Sequence, residues 1–309
     1  MARITVLMPA YNAMPYLPEA VDSILSQTFR DFTFLIINDG STDETRAYLD
    51  SVKDPRIKAI HQHNRGAGSA KNYGLSICDT EYVAIMDADD VSLPTRLEAQ
   101  IRFLQNHSDI GLVGTQVTYL GVGGRTGISP SLPYDHETIY NGLIDNRAAV
   151  FPATIMCRTS MLKRTGGYKV EQAMDDMDML LRMGEITKLA NLKERLYLLR
   201  IHSSSIMATR LAEAWTQYAH ARDSAIRRAE GRPEITFDEF VIEQRKRPFV
   251  QKTLDAMELY AFGQYRLAVA EILSPRRIVG YPRLAWAALC SPQRAIQRIN
   301  RTIQNRKKS

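Results

Sequence analysis

Two rhythms of apolar and polar positions alternate over the first 117 residues. Short apolar runs fall at Ile4–Pro9, Phe32–Ile37, Ile57–Ile60, Tyr82–Met86 and Ile110–Val117. Between them apolar residues return every three or four positions, the spacing that draws one stripe along a helix. Pro15–Gln27 sets Leu17, Val21, Ile24 and Leu25 on such a stripe. Ser41 or Thr42 can cap a helix running to about Val52, with Asp43 and Glu44 in its first turn, where carboxylates suit the helix dipole. Gly68–Ile77 reads as helix, and Pro94 opens another that carries Leu97, Ile101 and Leu104. Strand and helix in this alternation predict crossover units, hence an α/β fold with a mainly parallel central sheet flanked by helices.

The pattern then changes. Gly121–Pro133 is rich in Gly, Ser and Pro and reads as a loop, and a less regular stretch runs to about His202. From Ser205 the spacing is helical, with Leu211, Trp215 and Tyr218 on one stripe. Thr236 and Glu239 stand at the spacing of a capping box. Ser274-Pro275 and Ser291-Pro292 each read as an N-cap followed by proline at the first helical position. Three parts are expected: residues 1–117, 118–205 and a helical C-terminal extension, 206–309.

Composition narrows the class. The 309 residues are 45% hydrophobic and 24% charged, as in ordinary globular chains. Three cysteines without metal-type spacing argue against a disulfide framework and fit a reducing compartment. No apolar stretch approaches the roughly 18 residues that span a bilayer. The run Ile4–Met8 is too short for a secretory signal. A cytoplasmic chain is expected, with room for peripheral contact at the inner face of the cell membrane.

Charge is distributed unevenly. The net charge is +6, yet no acidic residue follows Glu271, and the last 38 residues hold nine basic ones, leaving −3 for the first 271. A basic tail on a near-neutral body calls for an anionic partner surface. Ala295, Ile296, Ile299 and Ile303 form an apolar stripe, with Arg294, Arg298, Arg301 and Arg306 mostly on other faces. Basic amphipathic helices of this kind lie on anionic membranes; a tail packed on the body with a solvated basic face would show the same pattern. Nucleic acid is not expected, since no binding motif accompanies the charge.

In parallel sheets ligands gather at the carboxyl ends of strands. The residues there are Tyr11-Asn12, Asn38-Asp39, His61 to Arg65 and Asp87 to Asp90. Asp87-Ala88-Asp89-Asp90 is the strongest local signal. Carboxylates this close repel unless something positive sits among them, and their oxygens suit Mg²⁺ or Mn²⁺. A solvated acidic turn that caps the next helix is the plainer reading of the same residues. Asp39, at a strand tip, can accept the imide N–H of a uracil ring, and Tyr11 could stack on that base. Asp175-Asp176-Met177-Asp178 suits an acidic helix start, and His202 is a lone histidine. There is no Gly-x-Gly-x-x-Gly after the first strand, no phosphate-loop ending and no Gly-x-Ser-x-Gly elbow, which argues against dinucleotide, phosphate-loop and serine-hydrolase chemistry.

The motifs, in this order, resemble family 2 glycosyltransferases of the GT-A fold. The matching segments are Val6 to Asn12, Ser26-Gln27-Thr28, Asn38 to Asp43, Gly68 to Gly74, Asp87 to Asp90, Gly166-Gly167-Tyr168, Asp175 to Arg182 and Arg200 to His202. Together they span about residues 4 to 206. The resemblance implies inverting transfer of a sugar from a nucleotide-sugar donor, with UDP as the nucleotide, to a saccharide or lipid-linked acceptor. Residues 1–117 would then be the donor half, and 118–205 the acceptor half. It also implies roles for single residues. Tyr11 and Asp39 would bind the base, with Pro9, Ala10 and Asn12 shaping the loop. Lys71 stands near the donor, where the family usually has arginine. Asp87, with Ala88 beside it, would contact the ribose or the water shell of a divalent metal (Mn²⁺ or Mg²⁺). Asp89 and His202 would hold that metal, Asp176 would be the general base, and Gly166-Gly167 would let the acceptor loop approach.

The chemistry needs these types. Negative charge grows on the departing diphosphate, and a divalent metal offsets it. The acceptor hydroxyl needs one carboxylate to take its proton, unlike the pair a glycosidase uses. Three positions depart from the family pattern: Asn38 for aspartate, Asp175 for glutamate and Lys71 for arginine. With two adjacent aspartates, Asp175 remains an alternative base to Asp176. A nucleotidyltransferase would also use carboxylates and a metal, but with a glycine-rich basic loop after the first strand; this chain has Pro-Ala-Tyr-Asn there. A non-catalytic nucleotide-sugar-binding partner would tolerate loss of Asp89, Asp176 and His202, and all are present.

Overall fold

The computed structural model describes residues 2–121, 123–169, 174–202, 210–275, 277–292 and 296. The chain divides into two units, 1–117 with 132–199 and 118–131 with 200–309.

In the first unit the apolar runs become strands β1 (Ile4–Ala10), β2 (Phe32–Asp39), β3 (Ile57–Gln62) and β4 (Tyr82–Ile85). They pair in parallel in the order β3-β2-β1-β4. Ile4, Val6, Leu7 and Met8 of β1 are all fully buried. Burial on both sheet faces is why β1, β2 and β4 read as continuous apolar runs and not as alternation; β3, at the sheet edge, has no fully buried residue.

Past β4 the sheet becomes mixed. Its further strands are β5 (Val91–Ser92), β6 (Ile110–Gly121), β7 (Thr126–Ile128), β8 (Met156–Arg158) and β9 (Lys188–Ile201). β8 runs against both β4 and β6. The fifth apolar run therefore shares the direction of β4, with an antiparallel strand inserted between them. β5 pairs antiparallel with β9.

Helices α1 (Leu17–Leu25), α2 (Thr45–Ser51), α3 (Ala67–Ser76) and α4 (Arg96–Asn106) connect the parallel strands, and α5 (His136–Ile144), α6 (Thr159–Arg164) and α7 (Asp175–Ile186) follow. α1 buries Leu17, Val21 and Ile24 completely, each worth about 1.5–3 kcal/mol of transfer.

The expected cap of α2 is corrected by the structure. The Ser41 hydroxyl accepts from the Asn12 amide at 3.0 Å, and the Thr42 amide donates to Asn12 Oδ1 at 2.8 Å. Asp43 accepts from Met14 N at 3.1 Å and from Thr45 N at 3.0 Å. The amides of the turn after β1 need acceptors, and the loop after β2 is the nearest source. The helix itself starts a turn later, at Thr45, whose hydroxyl accepts from Ala13 N at 2.9 Å.

The second unit holds α8 (Leu211–Ala229), α9 (Phe237–Lys246), α10 (Phe249–Ile272) and α11 (Arg277–Cys290). Thr236 and Glu239 form the capping box at the start of α9. β7 pairs with Thr118–Leu120 in this unit. The Ser274 hydroxyl donates to the Glu271 carbonyl at 2.8 Å and closes α10. Of the apolar tail stripe, Ile296 is exposed, and Ala295, Ile299 and Ile303 lie outside the described residues. Among the described residues no helix is long and apolar enough to cross a membrane.

Candidate active site

The site is built on strand ends of the first unit. Ala10 and Asn38 are paired at the tips of β1 and β2, so Tyr11 and Asp39 emerge on the same edge. Tyr11 is 52% exposed. Asn12 has φ +47°, a left-handed turn that asparagine tolerates and that its bonds to Ser41 and Thr42 hold in place. Asp39 is buried. Its Oδ1 accepts from Gln62 Nε2 at 2.6 Å and Arg65 N at 2.9 Å, and its Oδ2 accepts from Gly66 N at 2.8 Å. With one donor on Oδ2, the carboxylate retains capacity for another N–H. Asn38 is engaged locally: its Nδ2 donates to His61 Nδ1 at 2.9 Å and its Oδ1 accepts from Ser41 N at 3.2 Å.

At the end of β4, the carboxylates of Asp87, Asp89 and Asp90 offer oxygens all within 4.8 Å of one another. Burial first, then the charges of Asp89 and Asp176, push Asp87 up to about 7, while Lys71 pulls the other way. The Asp87 side chain nonetheless keeps an accessible edge. A buried cation close to this cluster is a residue that sequence reading passed over. Arg96 is fully buried, donates to the Ile85 carbonyl at 2.7 Å and lies over the Tyr197 ring at 4.9 Å. Burial lowers it to about 10, against the attraction of Tyr197, Asp90 and Asp87, so it stays protonated at neutral pH. The Tyr197 hydroxyl accepts from the Asp87 amide at 3.2 Å. In the sequence Arg96 looked like one more polar position of an amphipathic helix, and nothing local marked it as buried.

The oxygen donors suit a hard divalent cation, and burial together with the neighbouring carboxylates favours the protonated form of Asp87. His202 follows directly after β9 and belongs to the second unit, so its pairing with Asp89 rests on the resemblance alone.

The third component is the start of α7. Lys71 of α3 is buried, with its ammonium 2.6 Å from Asp176 Oδ1 and 2.9 Å from Asp175 Oδ2. It also lies over the Tyr168 ring at 4.3 Å. Burial favours its neutral form, but the two aspartates together outweigh that and hold it firmly protonated. The aspartates differ in access: the Asp175 side chain is 6% exposed and that of Asp176 is 30%. Asp175 Oδ1 accepts the Asp176 amide at 2.9 Å. Burial, then Asp176, raises Asp175 to about 6. The structure thus brings Lys71, Asp87, Asp89, Asp175 and Asp176 into one electrostatic neighbourhood.

Supporting residues fix this end. Asn72 clamps Tyr168, donating to its carbonyl at 2.7 Å and accepting from its amide at 2.8 Å. Gly167 has φ +76°, and a Cβ there would stand 2.4 Å from Asn72 Oδ1, so only glycine fits. Buried Asp178 takes Arg182 Nε at 2.8 Å and Lys169 Nζ at 2.9 Å, and Arg182 donates to the Gly167 carbonyl at 2.8 Å. In the sequence Asp178 reads only as part of an acidic helix start; its pairing with Arg182 and their grip on the glycine loop do not show there.

A parallel nucleotide-type half-sheet that ends in a carboxylate cluster, beside a helix that opens with paired aspartates, defines a sugar-transferase class. The sequence matches glycosyl transferase family 2 over residues 5–166. EpsE of Bacillus subtilis is 33% identical over 214 residues, covering 66% of this chain and 74% of that protein. The O-antigen biosynthesis glycosyltransferase WbnJ of Escherichia coli is 32% identical over 216 residues, covering 68% and 84%. Among solved structures, S. aureus TarS 1–349 in complex with UDP superposes with a TM-score of 0.60 at 16% identity, covering 98% of this chain and 92% of that one. The mannosyltransferase PcManGT of Pyrobaculum calidifontis, in complex with GDP-Man and Mn²⁺, gives 0.57 at 18%, covering 98% and 87%. These last two share the GT-A-type fold. The chain belongs to glycosyl transferase family 2 and is a glycosyltransferase; the nucleotidyltransferase alternative falls away.

Proposed function

We propose that this glycosyltransferase moves a sugar, with inversion, from a UDP-sugar to a hydroxyl of a saccharide or lipid-linked acceptor in surface polysaccharide synthesis. The observation that carries this reading is Asp176: the more open of two carboxylates on one buried lysine, in electrostatic reach of Asp87. The O-antigen role in the name of WbnJ and the UDP and UDP-GlcNAc complexes of TarS support the substrate classes.

In this reading Tyr11 stacks on the base, and Asp39 accepts the uracil N–H on the free capacity of Oδ2. Pro9, Ala10 and Asn12 form the rim, and Asp87 and Ala88 meet the ribose. Asp89 and His202 would hold a divalent cation, which supplies positive charge to the diphosphate leaving group when bound. Asp176 takes the acceptor proton as the hydroxyl attacks the anomeric carbon, contributing about a hundred- to ten-thousandfold. Lys71 acts as a positioning residue here: its ammonium, 2.6 Å from Asp176 Oδ1, fixes that carboxylate. The division into donor half 1–117, acceptor half 118–205 and C-terminal extension 206–309 belongs to the same proposal.

Calorimetric titration with UDP, GDP and dTDP, with and without Mn²⁺, tests the donor site. Tight, Mn²⁺-dependent UDP binding is expected; preference for another nucleotide discards the uracil assignment. Asp176→Asn should bind UDP normally and transfer sugar about a thousandfold more slowly. Full activity in that variant would move the base to Asp175, and no nucleotide binding in the parent would discard the donor site drawn here.

A further inference from the structure

The last helix of the second unit presents a surface that sugar transfer does not use. The inner face of α11 packs on α10 through buried Gly280 and Ala287. A Cβ at Gly280 would stand 2.7 Å from the Ala268 carbonyl, so the two helices approach closely there. The outer face carries Ile278, Tyr281, Pro282, Ala285 and Leu289, all exposed. Their spacing of three, four, seven and eleven residues keeps them on one side of the helix. Ile278 is 80% exposed and Leu289 73%.

No charge interrupts this stripe. Between Ile278 and Pro292 the sole ionic side chain is Arg283, and it turns to Glu271 at 2.9 Å and Gln264 at 2.7 Å on α10. Trp286 is 52% exposed on the shoulder of the stripe, and its Nε1 donates to the Tyr260 hydroxyl at 3.3 Å. Tyrosine and tryptophan in such positions suit a boundary between apolar and wet surroundings. A contiguous apolar stripe left in water marks an interaction surface.

Charge identifies what covers it. The stripe sits inside the stretch after Glu271, with its nine cations and no acid. A second copy of the chain would bring two such stretches together. An anionic lipid surface instead offers hydrocarbon to the stripe and phosphates to the cations. The stripe from Ile278 to Leu289 is about 17 Å long, a length that lies in a bilayer interface and does not cross it.

We propose that the outer face of α11 docks on an anionic membrane surface, with the apolar stripe entering the acyl boundary and the excess positive charge of the sequence beyond Glu271 drawing it to the lipid phosphates. This stands apart from the donor and base assignments and survives their failure.

The test is co-sedimentation of the full chain with vesicles of phosphatidylcholine, with and without phosphatidylglycerol. Binding to the anionic vesicles only is expected. Ile278→Gln with Leu289→Gln should lower partitioning by about tenfold or more. Arg294→Gln, Arg298→Gln and Arg301→Gln together should lower it by about a hundredfold at low salt. Equal uptake by both vesicle types, or unchanged uptake in the apolar variant, overturns the proposal. So does a dimer in sedimentation equilibrium that the same apolar substitutions dissociate, without vesicle uptake by the parent. A second measurement needs no disruptive variant. The chain has two tryptophans, so Trp215→Phe leaves Trp286 as sole reporter. Brominated lipid should quench its fluorescence, and unquenched emission in sedimented protein overturns the assignment to α11.

Discussion

The two ends of the site solve the burial of carboxylates in opposite ways. At the β2 end a single carboxylate, Asp39, receives three hydrogen bonds from neutral donors, two of them backbone amides. At the β4–α7 end Asp87, Asp89, Asp90, Asp175 and Asp176 share the charges of Lys71 and Arg96. The first arrangement needs no cation, and it leaves Oδ2 room for one further donor. The second crowds carboxylates beside two buried cations, and oxygens of Asp87, Asp89 and Asp90 lie within 4.8 Å of one another, near enough to share a divalent ion. A donor with its base at one end and its diphosphate at the other would meet a preformed cradle first and an unbalanced field second. This division matches recognition at one end and chemistry at the other.

The sharpest way to break the comparison is Lys71→Met. It removes the cation that Asp175 and Asp176 share and leaves both charges facing each other in a buried setting. Loss of one partner from a buried ion pair costs about 3–5 kcal/mol, read as a fall in the urea midpoint. An unchanged midpoint would mean that the α7 end is relaxed by water and that Lys71 does not hold it.

Asp39→Asn probes the other end with a smaller effect. The amide keeps one acceptor but turns an N–H toward donors already in place. Hydrogen bonds to charged groups contribute about 1.5–3 kcal/mol, so a loss of about 2 kcal/mol is expected, with faster amide exchange at Arg65 and Gly66. Wild-type exchange at those two amides would show that Asp39 does not organise the loop before α3.

What the sequence revealed follows the same contrast. Strands buried on both faces announce themselves as apolar runs, so β1, β2, β4 and β6 were legible, while β3, an edge strand without a buried residue, showed only as the short run Ile57–Ile60. β5 and β8 are two and three residues long, too short for any period to show. Asp39 and the Asp87–Asp90 cluster were legible because strand ends in a parallel sheet are where ligands bind. Ser41 and Thr42 misled because a cap signature is local, while the competing acceptor need, at Asn12, lies about thirty residues away. Arg96 and Asn72 act through tertiary contacts that no spacing encodes. The outward stripe of α11 has the spacing of a core face; only the packed structure, with Gly280 turned inward, shows which side stays bare.

The smallest expected effect, and the most specific to the crowded end, is a pH slope. Burial, then the charge of Asp176, raises Asp175 from 3.8 to about 6. Between those values the native state holds a proton that the unfolded chain has released. Stability therefore falls as pH rises through this window, with the loss complete above the native value. The slope is at most about 1.4 kcal/mol per pH unit for one proton, and the overlap of the folded and unfolded titrations keeps it lower. Urea midpoints taken from about pH 4 to about pH 6 should decline accordingly. Asp175→Asn keeps an oxygen to accept the Asp176 amide, now bonded at 2.9 Å, and has nothing to titrate, so its profile should lose that decline. A slope that persists in the variant would belong to another group. A flat profile in the parent would mean that Asp175 titrates as freely as in the unfolded chain, and the contrast between a satisfied and a strained end would lose its electrostatic basis.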